Sequence, residues 1–372
     1  MRVTAIEPSG NLYGSEKALF DVISGTTSRG FEWDVVLPKN SPFEQLLTTA
    51  GIPAWPILPG NSHLIARWKK IGGYLQLARH LAKNRPSVLY VNQAGMLRAA
   101  TAIGSRIGIP IVCQIQTLED AQFVAASGPL RTAATSFICN SRFIAAAADV
   151  PLERLSTLYQ PIMRGAAREN VSRPGKGHWK VGILGRIARS KGHYVLLEAA
   201  RILVEQGRND IFFVVIGEGL TDKDTQDFKV AVRDSGMSTN FEFRGFRSDI
   251  GAELSRIHVV AMPSLAEPLG RVVLDACVAR RPIIVSDSGG LGEFSREFEI
   301  GLRVPPGDAN SLASSIACLV DNYDIEYDQF DHAAKLTEQR LNPDSYVAAI
   351  ALVLDNAATG RATSIEWFGA AI

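Results

Sequence analysis

Unbroken apolar runs of strand length alternate with stretches of helical spacing along this chain from one end to the other, and that alternation leaves few folds open. The runs FFVVI at 212–216 and PIIV at 282–285 have no polar position. A strand with one wet face alternates polar and apolar, whereas a parallel strand covered on both faces does not. The same reading predicts strands at Arg2–Glu7, Trp33–Leu37, Ala54–Leu58, Ser87–Asn92, Ile111–Ile115 and Phe137–Cys139. It continues with Val181–Gly185, Phe212–Ile216, Phe241–Arg244, Val259–Met262 and Ile283–Ser286. Between strands lie patterns such as YVLLEAARILVE at 194–205, apolar at steps of three and four. Strand–helix alternation of this kind builds right-handed βαβ units and a doubly wound, open α/β sheet.

At 372 residues the chain is long for one domain, since about 150 residues per domain is usual. The segment 163–179, MRGAARENVSRPGKGHW, is small, polar and aperiodic, and reads as a linker. The expected organisation is a Rossmann-like domain over 1–162, the linker, and a second Rossmann-like domain over 180–342, the two facing each other across a cleft. Helical spacing returns behind Pro343, so 343–372 is expected to be a helix and tail that packs back on the first domain.

The 39 Lys and Arg against 38 Asp and Glu give a net charge of +1, which offers nucleic acid no electrostatic footing. Cys113, Cys139, Cys277 and Cys318 lie too far apart in sequence for a zinc ribbon or a disulfide framework. The N-terminus reads as a strand rather than a signal peptide, and no apolar run approaches the roughly 18 residues of a membrane span. A cytoplasmic location is the expectation.

Chemistry concentrates in the second half. GRIARSKGH at 185–193 follows one strand and precedes a helix, at the sheet edge where open α/β folds bind ligands. Arg186 and Lys191 can converge on one anion there, although a solvated basic loop would read the same way. SLAEPLGRVVLDACVARRPIIVSDSGGLGEF at 264–294 contains a turn, Glu267–Gly270, into a helix starting near Arg271, whose free N–H groups suit an anion. Eight residues separate Glu267 from Asp275, about 80° beyond two helical turns, so both carboxylates are expected to face one cleft and accept from sugar or ribose hydroxyls. Gly289 and Gly290 offer backbone N–H groups, and VPPGD at 304–308 supplies a turn with Asp308 as a helix cap.

In this order GRIARSKGH, EPLGRVVLDA, RPIIVSDSGGLGE and VPPGD resemble the donor domain of glycosyltransferase family 4, the retaining family of GT-B architecture. The resemblance covers roughly 130 residues of the second half. It implies that Arg186 and Lys191, with Gly185 in the loop, hold the diphosphate of a nucleotide-sugar donor. It assigns Glu267 to the donor sugar, Asp275 to the ribose, and the turn Leu269, Gly270 and Arg271 to phosphate and sugar; Glu267, Arg186 and Lys191 would then carry catalysis. The first half is similar more loosely: SGNLYGSEKALFDV at 9–22 corresponds to the family's first glycine loop, with Gly10, Gly14 and Ser15 near the diphosphate and acceptor. FICNSRFIAAA at 137–147 resembles its strand–Ser–helix. Two positions depart from the pattern: Asp275 stands where Glu is usual, and Gln116 where a histidine is often found. Gln116 can bind a sugar hydroxyl but cannot shuttle a proton.

The reaction so implied transfers a sugar with retention to a glycan or lipid-linked acceptor, without cofactor or metal. Asp222-Lys223-Asp224 has the spacing of a metal site but sits in a polar helix start, and no G-x-G-x-x-G follows the first strand to suggest a nicotinamide enzyme. The competing expectations are a non-catalytic nucleotide-sugar-binding protein and an epimerase or phosphorylase of the same architecture. On the acceptor side, Gln45 to Leu118 contains no Asp or Glu but eight Lys or Arg. The stretch 63–85 holds most of them, interleaved with Ile65, Trp68, Ile71, Leu75, Leu77 and Leu81, a pattern that suits peripheral contact with an anionic membrane face.

Overall fold

The computed structural model describes residues 1–58, 67–162 and 178–367. The chain divides into two compact units, Met1–Gln160 with Leu341–Ile372, and Pro161–Arg340. In the first unit the strands are β1 (Arg2–Ile6), β2 (Glu32–Pro38), β3 (Ala54–Leu58), β4 (Val88–Val91), β5 (Ile111–Ile115), β6 (Ser136–Cys139) and β7 (Leu155–Leu158). They form one parallel sheet in the order β7-β6-β5-β4-β1-β2-β3, and a short strand, Glu366–Trp367, adds in parallel beside β7.

β4, β5 and β6 are buried at every position, the polar Gln114 and Ser136 included. Helix Pro343–Ala358 belongs to this unit although it follows the second unit in sequence. It packs on helix Gly14–Thr27 so closely that a Cβ on Gly25 would lie 2.3 Å from Val347 Cγ2. Burial of Val347, Ile350, Val353 and Leu354 contributes about 1.5–3 kcal/mol each before entropy is subtracted, which is what ties the helix to the first sheet.

In the second unit β8 (Trp179–Leu184), β9 (Ile211–Ile216), β10 (Phe241–Gly245), β11 (Val259–Met262), β12 (Ile283–Ser286) and β13 (Leu302–Val304) form a parallel sheet ordered β10-β9-β8-β11-β12-β13. Val181, Ile183, Phe213, Val215, Val259, Ala261 and Ile284 join Leu196, Ala200, Leu203, Leu312 and Ile316 from the helices in one core. Both halves are thus Rossmann-like. Chain order departs from spatial order between β8 and β11, the switch point where such sheets take ligands.

The strand boundaries move by a residue or two from those read in the sequence, and three short strands (β7, β13 and Glu366–Trp367) were not foreseen. Only residues 163–177 of the expected linker lie outside the described residues. Trp179, placed in the linker by its polar neighbours, instead opens β8 and is buried against His258 and Tyr323. Aromatic burial outweighed the composition of the preceding segment. Leu341 and Asn342, read as the end of the second domain, lie beyond the last residue of the second unit.

Candidate functional site

The carboxyl ends of β8, β11 and β12 are adjacent in the second sheet, and the loops that leave them are stitched together by main-chain acceptors. Leu265 N–H donates to the Ser190 carbonyl at 2.8 Å, and Gly290 N–H to the Glu267 carbonyl at 2.8 Å. Ser288 Oγ donates to the Leu265 carbonyl at 2.7 Å. Three loops therefore hold one another in place before any ligand arrives.

The first loop runs from Gly185 through a 3₁₀ turn, Arg189–Lys191, to Gly192, which caps helix His193–Glu205 with φ +79°. A Cβ on Gly192 would lie 2.0 Å from the Pro263 carbonyl oxygen, so glycine is needed here for both conformation and space. Arg186 is exposed at the start of the loop. Lys191 is half-buried and its Nζ donates to Glu267 Oε2 at 2.5 Å. Ser264 Oγ donates to the same oxygen at 3.2 Å. Oε1 of Glu267 takes no partner among the described residues.

Below the loop, His193 is buried with Nδ1 3.3 Å from the Ala188 carbonyl, which a neutral ring can donate to. Burial lowers its pKa to about 4 against that hydrogen bond, with Lys191 adding to the depression. The imidazole is therefore uncharged at neutral pH, and it ties the middle of the cationic loop to the first turn of its own helix.

Glu267–Gly270 is a non-helical turn, and helix Arg271–Ala279 starts with Gly270 as its cap, φ +78°, and no side-chain capping bond. Leu269 is buried beneath the turn, while Arg271 and Asp275 are half-buried on the helix. Two expectations need correction. The helical phase drawn between Glu267 and Asp275 does not hold, because Glu267 precedes the helix by four residues. The Gly290 N–H is not open to a ligand, because the Glu267 carbonyl already accepts it. As for the metal-like spacing, Asp222 and Asp224 open helix Asp222–Asp234, and Asp224 closes a capping box with Thr221. The Thr221 hydroxyl and amide, then Lys223 and Arg186, hold the Asp224 carboxyl below its ordinary range.

In the first unit, Gly14 and Ser15 open helix Gly14–Thr27. Gln116, at the end of β5, is buried: its Nε2 donates to Asn92 Oδ1 at 3.2 Å, its Oε1 accepts from Gln160 at 3.3 Å, and its carbonyl accepts from Asn140 at 3.1 Å. Ser264, His193 and the acid Glu7 at the end of β1 were not singled out in the sequence. The available signal was positional, since each lies at a strand end or first helical turn beside a residue that was. The stretch 63–66 of the basic segment lies outside the described residues; helix Arg67–Asn84 follows it, and no helix among the described residues is long and apolar enough to cross a membrane.

Two family models cover most of this chain. Residues 14–157 match the glycosyl transferase 4-like domain and residues 167–339 match glycosyl transferases group 1. The chain belongs to the family 4-type glycosyltransferases. Over 151 residues it is 31% identical to 2-deoxystreptamine glucosyltransferase of Streptomyces kanamyceticus, 40% of this chain and 38% of that protein. Over 137 residues it is 30% identical to the lipopolysaccharide core biosynthesis glycosyltransferase LpsE of Rhizobium meliloti, 37% of this chain and 38% of that one. The alignments thus span well under half the length of these relatives. Among solved structures, HepE of Anabaena in complex with UDP and glucose superposes with a TM-score of 0.80 at 19% identity, covering 95% of this chain and 99% of that one. WaaG, a glycosyltransferase involved in lipopolysaccharide biosynthesis, superposes at 0.71 with 14% identity, covering 95% and 99%. Both likenesses are of fold, and the fold of this glycosyltransferase family member is GT-B.

Proposed function

We propose that this family member is a metal-independent, retaining glycosyltransferase that moves a sugar from a nucleotide-diphosphate sugar to a glycan or lipid-linked acceptor. The observation that carries the reading is the Lys191–Glu267–Ser264 cluster, held in the stitched loops at the switch point of the second sheet. An ammonium has three N–H donors and Glu267 takes one, so Lys191 can hold Glu267 and a phosphate oxygen together. Glu267 Oε1 can then accept from a sugar hydroxyl. Breakage of the anomeric C–O bond leaves negative charge on the departing diphosphate. Arg186, Lys191 and the first turn of helix Arg271–Ala279 would stabilise that charge electrostatically. Asp275 is assigned to the ribose, Gly14 to the donor, and Ser15 and Gln116 to the acceptor side. With Gln116 in place of a histidine, the departing phosphate is the group that takes the acceptor proton.

The likeness to HepE in complex with UDP and glucose supports the donor class, and the likeness to 2-deoxystreptamine glucosyltransferase supports transfer of a sugar. The test is a thermal-shift series with UDP, GDP, ADP and their sugars on the wild type and on Arg186→Ala/Lys191→Ala. A ligand at 100 times its Kd stabilises by about 2.7 kcal/mol. A shift with one nucleotide that disappears in the double variant supports the reading. A shift without donor turnover points to a binding protein, and no shift with any nucleotide overturns the donor site.

We infer in addition that the basic segment 63–85 presents this protein to an anionic membrane face. Ile71, Tyr74 and Leu75 form an exposed apolar patch one turn long on helix Arg67–Asn84, while Leu77 and Leu81 are buried in the sheet's core. Such a helix spends its inner face on the fold and keeps an outer apolar face for another surface. Flotation with acidic-lipid vesicles tests this, and binding unchanged by neutralising Arg67, Lys69 and Lys70 would refute it.

A further inference from the structure

Five strand ends of the first sheet contribute polar side chains to a single buried network. Glu7 follows β1, Asn92 and Gln93 follow β4, Gln116 follows β5, Asn140 follows β6 and Gln160 follows β7; all but the half-buried Gln93 are buried. The hydrogen bonds run one way. Gln160 Nε2 donates to Gln116 Oε1, Gln116 Nε2 to Asn92 Oδ1, and Asn92 Nδ2 to Glu7 Oε2 at 2.5 Å. That direction matches the two acceptors at its end, the Glu7 carboxylate and the Ser15 carbonyl, which both take an Asn92 N–H.

Glu7 also fastens the glycine loop. Its Oε1 accepts from Ser9 N–H at 2.8 Å and from Gln93 Nε2 at 3.0 Å. Glu16, buried on helix Gly14–Thr27, faces Glu7 and takes the other half of the loop: Ser9 Oγ, Tyr13 N–H at 3.0 Å and Ser15 Oγ at 3.0 Å. Asn92 Nδ2 lies 3.3 Å from the Ser15 carbonyl, so the loop and the amide chain share a residue. From β2 the neighbouring group is the Val36 carbonyl, which accepts the Glu7 N–H at 2.9 Å.

We propose that Glu7 is a positioning residue of the acceptor side: its ionised carboxylate holds the orientation of the Asn92–Gln116–Gln160 amides and the shape of the 8–15 loop, and a proton on it loosens both. The functional consequence rests on the transferase reading above, which assigns Ser15 and Gln116 to the acceptor. The loosening follows from donor–acceptor matching. A proton taken from solvent onto Oε2 leaves a neutral acid whose O–H competes with the Asn92 N–H at that oxygen. Asn92 cannot relieve this by turning its amide, because Oδ1 would then face the Ser15 carbonyl and its N–H that of Gln116, and each buried mismatch costs about 1–3 kcal/mol. The line keeps its direction but loses the charged hydrogen bond that anchors it, and Asn92, Gln116 and Gln160 feel the loss in turn. Burial, and after it the Glu16 carboxylate, raise the pKa of Glu7 to about 7 against the hydrogen bonds from Asn92 and Ser9. Both states are therefore populated near neutrality.

The test is a pH titration of the side-chain amide resonances of uniformly ¹⁵N-labelled full-length protein, wild type and Glu7→Gln, with exchange of the Ser9 and Tyr13 backbone amides followed alongside. In the wild type the Asn92, Gln116 and Gln160 signals move together with one midpoint near 7, and protection at Ser9 and Tyr13 falls below it. In Glu7→Gln, whose amide resembles the protonated acid, the signals stay at their low-pH positions throughout. Amides that do not titrate in the wild type, or that titrate equally in Glu7→Gln, overturn the proposal. The wild-type titration decides alone should the variant not fold. UDP calorimetry on the same samples keeps the two readings apart, because failure to bind UDP strikes the donor site and leaves the amide titration intact.

Discussion

Lys191 and Glu267 do two jobs at once, each neutralising the other in the resting protein and each assigned to the sugar donor, and substitutions can separate them. The Glu267 side chain is 8% exposed and that of Lys191 30%, with Nζ 2.5 Å from Oε2. Removing one partner of a fully buried pair costs about 3–5 kcal/mol, whereas an exposed pair contributes about 0–1 kcal/mol. With one partner buried and the other nearly a third exposed, Lys191→Met should destabilise the second unit by about 2 kcal/mol, Ser264 being the one partner left to the carboxylate among the described residues. In a unit of this size about 1 kcal/mol moves Tm by roughly 2–4 °C, so calorimetry should show that unit melting roughly 4–8 °C earlier. Glu267→Gln placed on top of Lys191→Met removes the stranded charge and should restore most of the loss. Nucleotide affinity should behave differently. Both variants lack the ammonium, a charged hydrogen bond of about 1.5–3 kcal/mol, so both should bind roughly ten- to a hundredfold more weakly the nucleotide that stabilises the wild type best. Stability rescued and affinity not rescued is the expected pattern. Affinity restored in the double variant, or Lys191→Met as stable as wild type, would refute the reasoning.

Three further outcomes follow from single contacts. Gly192→Ala places Cβ 2.0 Å from the Pro263 carbonyl oxygen at φ +79°; the left-handed conformation alone costs about 1–2 kcal/mol and the clash adds to it, so the second unit should lose at least about 3 kcal/mol in denaturant melts, and an unchanged midpoint would exclude the clash. His193, its pKa lowered to about 4, stays neutral in the fold but takes a proton when unfolded; stability of the second unit should fall as pH drops from about 6.5 towards 4, by up to roughly 3 kcal/mol, and His193→Gln should remove that share of the slope while His258, shifted the same way, keeps its own. Of the four thiols, Cys318 is exposed and Cys113, Cys139 and Cys277 are buried, so a thiol reagent should label one cysteine rapidly and the other three only on unfolding.

Much of this architecture is legible in the sequence because the parallel sheet imposes a local rule. β4, β5 and β12 are buried at every position, and a strand covered on both faces has no alternating polar phase to confuse the reading, Gln114 and Ser286 being single polar residues in theirs. The loops at the second sheet's edge are legible for a related reason: the glycines, the cations and the acid follow strand ends within a few residues. What escaped is non-local. β7 and β13 are only four and three residues long, too short for any period, and Trp367 finds its place only when the last helix brings the chain back to the first sheet. The helical phase between Glu267 and Asp275 failed because a turn of four residues interrupts it, and nothing in the residue types says where helix begins until Gly270 takes its positive φ.

The first unit shows the limit most clearly, and it shows how differently the two sheet edges are built. At the second sheet's edge the working groups are charges that meet across two loops, and charges announce themselves in a sequence. At the first sheet's edge they are amides, one from each of several strand ends separated by about 20 to 85 residues. Asn92, Gln116 and Gln160 each look like an ordinary polar residue after a strand, and only register brings them into line. A carboxylate at the end of such a line gains more influence than its own contacts suggest, because an amide turned out of line sets donor against donor or acceptor against acceptor at its neighbours. A histidine in place of Gln116 would break that line, since a ring nitrogen that donates to Asn92 cannot be turned by a neighbour's amide without changing tautomer or charge. Glutamine at this position therefore fits an edge built from amides whose orientations depend on one another, from Asn92 to Gln160.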